Sequence, residues 1–202
     1  MSKKIAFYHS ILLLVCLVIM PVFSNGCAQQ SGVLLMDSVT EEAKWKRIVH
    51  DRVSVFGHRN WIVVADAAYP SHSSNGIETI LTHGDQIEVL RAVLQEIDQA
   101  KHLHANIYTD TELKYVTDRD ARGMDDYRQR LSNVLSNRSG GSMLHEEIIS
   151  RLDKTSEKFN VLILKTNLMV PYTSVFIDLG CGYWSADSEK KLRAAMSQQG
   201  GK

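Results

Sequence analysis

The feature that most limits the fold is an alternation. Short apolar, β-branched runs alternate along the chain with longer stretches whose apolar residues recur at helical spacing. Trp61-Ile62-Val63-Val64-Ala65 is the clearest run, apolar throughout, as a strand covered on both faces must be. Ahead of it, Thr40 to Phe56 reads as a helix with Trp45, Ile48, Val49, Val53 and Phe56 on one face, stopped by Gly57. Behind it come a strand over Ile77 to Leu81 and a helix over Gln86 to Ala100, opened by Gly84 and Asp85. Ile87, Leu90, Val93, Leu94 and Ile97 form that helix's stripe. A third strand is expected over His104 to Tyr108, and a polar helix over Asp125 to Asn137. A loop over Arg138 to Ser142 and a helix over Met143 to Lys158 follow. Two strands, Asn160 to Thr166 and Tyr172 to Leu179, precede a last helix over Ala186 to Met196. This order predicts an α/β fold, a three-layer sandwich with a largely parallel sheet. In such sheets ligands bind beyond the carboxyl ends of strands. That rule directs attention to Asp66 through His72, to His83 and to the surroundings of Tyr172.

The first 26 residues read as an address rather than as fold. Lys3 and Lys4 precede an apolar run from Ile11 to Phe23, too short and too interrupted at Pro21 for a spanning helix, which needs about 20 apolar residues. The run ends Ser24-Asn25-Gly26-Cys27, and a small residue before Cys is similar to a bacterial lipoprotein processing site. Residues 1–26 are therefore expected to be a signal peptide, with Cys27 the lipidated residue and residues 27–40 a tether. Residues 41–202 then form a single domain, exported and held at a bacterial membrane through its N-terminal lipid only. Cys16 leaves with the signal, and Cys181 is left without a partner for a disulfide; its plain reading is a small buried hydrophobe.

Charge excludes several classes. The chain has 23 basic and 23 acidic residues. Loss of residues 1–26 removes Lys3 and Lys4 and no acid, so the processed chain carries two net negative charges. Nothing there attracts nucleic acid. No metal-ligand spacing recurs, and His102 with His104 alone is a poor metal signal. No phosphate-cradling glycine loop or nucleophile elbow is present, so no cofactor is expected.

Asp66 is the most informative residue. It follows a buried strand and is flanked by Ala65 and Ala67, where a carboxylate must be paired or hydrogen-bonded. It either braces the turn after the strand or forms the floor of a pocket. His58 lies eight positions earlier, at the other end of the strand, so pairing with Asp66 needs either a folded-over turn or a second chain. His72 follows the strand on the ligand side. His145 opens a helix at His145-Glu146-Glu147-Ile148.

Gly57-His58, then Trp61-Ile62-Val63-Val64-Ala65-Asp66-Ala67 and Pro70, resembles the first signature of the RbsD/FucU family of ribose pyranases and fucose mutarotases. Tyr69-Pro70-Ser71-His72-Ser73 resembles the fucose branch and His145-Glu146-Glu147-Ile148 the ribose branch. Lys165-Thr166 and Val170-Pro171-Tyr172-Thr173-Ser174-Val175 resemble the closing strands. The resemblance implies an RbsD-like fold assembled into a homo-oligomeric ring, with a monosaccharide bound where subunits meet. It implies that His58, Asp66 and Tyr172 are catalytic and that His72, His145, Ser174 and Lys165 contact the sugar. The implied activity interconverts cyclic forms of a reducing sugar by general acid/base catalysis, without cofactor or metal. The family usually carries Asn where Ser174 stands. That difference and the export signal favour the alternative, a non-catalytic sugar-binding or scaffolding lipoprotein on the same fold.

Overall fold

A computed structural model of the chain describes residues 28–136 and 138–199. The expected signal peptide, residues 1–26, and the expected lipidation of Cys27 lie outside the described residues. The chain divides into two units, Met1–Val39 and Thr40–Lys202. Of the first unit only helical backbone from Ala28 onward is described, so the segment read as a tether is helical over its described residues.

The elements run α1 (Ala28–Val55), β1 (Trp61–Ala65), β2 (Ile77–Leu81), α2 (Gln86–Gln99), β3 (Leu103–Asp110), a single 3-10 turn (Thr111–Lys114), α3 (Met124–Leu135), β4 (Gly140–Met143), α4 (His145–Ser156), β5 (Val161–Lys165), β6 (Val175–Cys181) and α5 (Ala186–Gln199). The six strands form one sheet in the order β2-β5-β1-β6-β3-β4. β1 and β2 both pair parallel with β5, and β3 pairs parallel with β4. β6 alone runs antiparallel, between β1 and β3. The sheet is thus largely parallel, as the alternation predicts.

Side chains alternate across the strands and bury two cores. On one face Ile62, Val64, Leu162, Leu164, Val175 and Ile177 meet Trp45, Val49 and Val53 of α1, Ile87, Leu90 and Val93 of α2, and Met124 and Leu131 of α3. On the other, Trp61, Val63, Val161, Ile163 and Phe176 meet Ile148 and Leu152 of α4 and Tyr69 from the loop after β1. The fold is a three-layer α/β sandwich. Ile62, Val63 and Val64 have no exposed surface, and each contributes about 1.5–3 kcal/mol relative to exposure.

α2 begins where Asp85 accepts from the backbone N–H groups of Ile87 and Glu88 at 3.0 and 3.2 Å, as a helix cap should. Three expectations are corrected. Gly140 to Ser142 of the loop expected over Arg138 to Ser142 belong to strand β4, which runs on into Met143. α4 begins at His145, two residues later than expected. β6 begins at Val175, which leaves Tyr172, Thr173 and Ser174 in the turn before it. Gly-Gly-Ser carries little intrinsic strand preference, and β4 exists because β3 offers it a parallel partner.

Candidate functional site

Because β6 runs against its neighbours, its first residues lie among the carboxyl ends of β1, β3, β4 and β5. Four connections therefore bring their side chains to one edge of the sheet: Asp66 after β1, Asp110 at the end of β3, His145 after β4, and Tyr172 to Ser174 before β6.

Asp66 is half-buried and uses both oxygens. Oδ1 accepts from the Ala68 backbone N–H at 2.9 Å, and Oδ2 accepts from the Ser174 hydroxyl at 3.0 Å. The Ala68 contact braces the turn after β1, and the Ser174 contact ties Asp66 to the turn before β6. The Lys165 ammonium donates to the Tyr69 carbonyl at 2.6 Å, which anchors the loop after β1.

Tyr172 has a backbone φ of 56°. A non-glycine residue in that region costs on the order of 1–3 kcal/mol and persists only where its surroundings hold it. A buried clamp does so here. The Thr173 carbonyl accepts from both the Gln86 amide and the Tyr127 hydroxyl. The Thr173 hydroxyl donates to the Val170 carbonyl at 2.7 Å. The Thr166 hydroxyl in turn donates to Gln86 Oε1 at 2.9 Å. With its neighbour fixed on both sides, the Tyr172 side chain is left 38% exposed at the edge.

The His145 ring stands edge-on to Tyr172, with centroids 5.5 Å apart. Its Nδ1 lies 3.2 Å from Asp110 Oδ1. The Asp110 side chain has no exposed surface, and its Oδ2 is buried without a hydrogen-bond partner among the described residues. Burial pushes its pKa up to about 6; His145 opposes that rise, and the charges of Glu112 and Asp66 add to it. Glu112 also accepts from the His145 backbone N–H, at 3.1 and 3.2 Å. It caps a helix whose own N-cap, Leu144, has no side-chain acceptor.

The structure does not bring every expected residue together. His58 is exposed, in the turn before β1. Asp66 lies past the other end of that five-residue strand, a span of about 16 Å at strand rise. The folded-over turn that would let one protomer pair them does not occur. His72 is tied elsewhere: its Nδ1 lies 3.6 Å from Asp153 Oδ1 of α4, and its ring lies 5.9 Å from that of Tyr69. His72 Nε2 and the Tyr69 hydroxyl are buried without partners among the described residues. Burial raises the Tyr69 pKa, and Asp110, Asp153 and Asp66 add to the rise. A separate recess of about 670 Å³ opens beside α4, lined by Arg59, Trp61, Arg151, Phe159 and Asp178 among others. None of the candidate site residues His58, Asp66, His72, His145, Lys165, Tyr172 and Ser174 lines it, although Trp61, Glu146 and Glu147 of the quoted motifs do.

Asp110, Gln86 and Tyr127 escaped the sequence reading, and Thr166 and Thr173 enter it only as members of the closing-strand motifs. Asp110 carries a usable signal, since it is a carboxylate at the carboxyl end of a strand, the same position that singled out Asp66.

Residues 47–181 match the model of the RbsD / FucU transport protein family. The chain belongs to the RbsD/FucU family. The RbsD/FucU segment holds His58, Asp66, Asp110, His145, Tyr172 and Ser174 and ends ahead of α5. Among solved structures, the chain is similar to RbsD of Bacillus subtilis complexed with D-ribose, at 17% identity, covering 64% of this chain and 88% of that one with a TM-score of 0.46. It is similar to the fucose mutarotase of Streptococcus pneumoniae in complex with L-fucose, at 19% identity over 64% and 89% of the two chains, TM-score 0.43. FucU of Bifidobacterium longum is 14% identical over 64% and 91%, TM-score 0.44. No curated protein matches the chain.

Proposed function

We propose that this protein interconverts cyclic forms of a reducing monosaccharide at the carboxyl edge of its sheet, as a mutarotase or pyranase. The observation that carries the reading is the convergence of Asp66, Ser174, His145 and Tyr172 at that edge, with the Tyr172 backbone held at φ 56°. Ring opening needs a base for the anomeric hydroxyl proton and an acid for the ring oxygen. Imidazole suits both because it changes charge near neutrality. His58 reaches Asp66 only from a second copy of the chain, so the complete site lies between copies of a homo-oligomer. There His58 exchanges one proton while Asp66 fixes its orientation. Tyr172 hydrogen-bonds a sugar hydroxyl or relays the second proton. Lys165 keeps two ammonium hydrogens free of the Tyr69 carbonyl for the sugar. His145 helps select it, while His72, packed against Tyr69 and facing Asp153, has no part in this reading. Export, and anchoring through Cys27, would place the activity in the bacterial periplasm.

Saturation-transfer NMR on ribose, fucose, galactose and glucose tests this reading. At least one sugar should exchange faster with the protein, and His58→Ala should abolish the acceleration without unfolding the chain. Unchanged exchange in His58→Ala removes His58 from the mechanism.

A second reading is favoured by the distance between His58 and Asp66 within one protomer and by the engagement of the Ser174 hydroxyl on Asp66. It is a sugar-binding protein without turnover. Sugar-dependent thermal stabilisation with no accelerated exchange identifies it.

A further inference from the structure

His58 accounts for one proton of ring opening, and a second must move at the same time. The protomer holds a second imidazole at the edge, His145, and a buried carboxylate is aimed at one of its nitrogens. We propose that Asp110 is a positioning residue that holds the His145 proton on Nδ1, leaving the Nε2 lone pair as the base for the anomeric hydroxyl. The proposal rests on the mutarotase reading and deepens it.

The geometry has three parts. Asp110 Oδ1 lies 3.2 Å from His145 Nδ1, and an ionised carboxylate only accepts, so Nδ1 must donate. Nε2 has no hydrogen-bond partner among the described residues, and the ring is about a third exposed, edge-on to Tyr172. Glu112 fixes the backbone of the same residue through its N–H, so both ring and main chain are held from below. The groups facing Asp110 are His145 from α4, Glu112 from the 3-10 turn and Asp66 from the end of β1, with Tyr69 from the loop after β1 close enough to feel its charge. Only His145 among these lies within hydrogen-bond distance of its carboxylate. A carboxylate that orients an imidazole and selects its tautomer is the second member of a hydrolase triad in another setting.

The step balances without a co-reactant. The anomeric O–H gives its proton to His145 Nε2, and its electron pair forms the carbonyl as the bond from the anomeric carbon to the ring oxygen breaks. The ring oxygen takes a proton from His58 of the second copy. Reclosure on the other face returns both protons.

The test uses the full chain, ¹⁵N-labelled, with long-range ¹H–¹⁵N correlation of the His145 ring at neutral pH. The expected wild-type spectrum has the proton on Nδ1 and an unprotonated Nε2. Asp110→Leu should move the proton to Nε2 or mix the tautomers, whereas Asp110→Asn, whose amide oxygen still accepts, should keep it on Nδ1. In exchange kinetics, Asp110→Leu should lower kcat about tenfold or more with KM little changed, and Asp110→Asn should recover part of that loss. A wild-type His145 with its proton on Nε2 overturns the proposal and needs no variant to fold. An Asp110→Leu protein with an unchanged exchange rate and pH profile overturns it as well. If the wild type accelerates no sugar, the mutarotase reading falls, while the tautomer measurement still decides whether Asp110 positions His145.

Discussion

Asp66 and Asp110 show how two carboxylates at equivalent strand ends acquire different characters. Asp66 is met by two donors, the Ala68 N–H and the Ser174 hydroxyl. Removing the second, in Ser174→Ala, should cost about 1 kcal/mol of stability, read from the urea midpoint. An unchanged midpoint would mean that the hydroxyl contributes nothing to holding Asp66. Asp110 has one imidazole and an orphaned oxygen, and its folded pKa of about 6 stands above the 3.8 of an unburied aspartate. The folded state therefore binds this proton more tightly than the unfolded chain does. The stability that Asp110 contributes is complete below pH 3.8 and is lost as pH rises through about 6. Asp110→Asn, which has no proton to lose, should gain on the wild type by about 2–3 kcal/mol between pH 4 and pH 7. Parallel stability curves for the two proteins over that interval would show that Asp110 titrates normally.

At the scale of elements, the strand that places His145 is also the one the sequence hides. β4 starts at Gly140, paired with Ile107, at φ 151°. A Cβ there would lie 1.7 Å from the Ile107 carbonyl oxygen, whereas one on Gly141 would meet nothing within 4 Å. Gly140→Ala should thus destabilise the protein by more than about 1 kcal/mol and loosen His145, while Gly141→Ala should be tolerated. Urea melts of the pair measure the contrast, and equal midpoints would refute the close approach. β1, β2, β5 and α2 were legible because their signals are local: β-branched runs, a stripe at helical spacing, and Asp85 as cap. β4 was not, since a Gly-Gly-Ser segment becomes a strand only through a partner more than thirty residues away. The start of β6 was misplaced for a related reason. Tyr172 and Thr173 are residue types that favour strands and they directly precede the apolar run, but the clamp from Gln86 and Tyr127 on the Thr173 carbonyl holds that stretch out of the sheet.

For the whole molecule, the reversed direction of β6 puts the turn bearing Tyr172 and Ser174 beside Asp66, and the same topology keeps His58 at the opposite edge. The opposition of His58 and Asp66 was readable from strand length alone. The company that Asp66 keeps was not, because it depends on strand order. If the site is completed between copies, its two halves must be separable by mutation. His58→Ala and Asp66→Asn should each be inactive when pure. Co-expressed at equal levels, they should assemble interfaces in which an intact His58 from one copy faces an intact Asp66 from the other. Random assembly makes about a quarter of the interfaces whole, so about that fraction of wild-type exchange should return, measured by saturation transfer at equal total protein. A site contained within one copy gives no such recovery, because every protomer in the mixture lacks one member of the pair. Activity that stays at the level of the separate variants, in a mixture shown by mass spectrometry to contain both chains in one oligomer, would place His58 and Asp66 of each site in a single protomer and overturn the shared site.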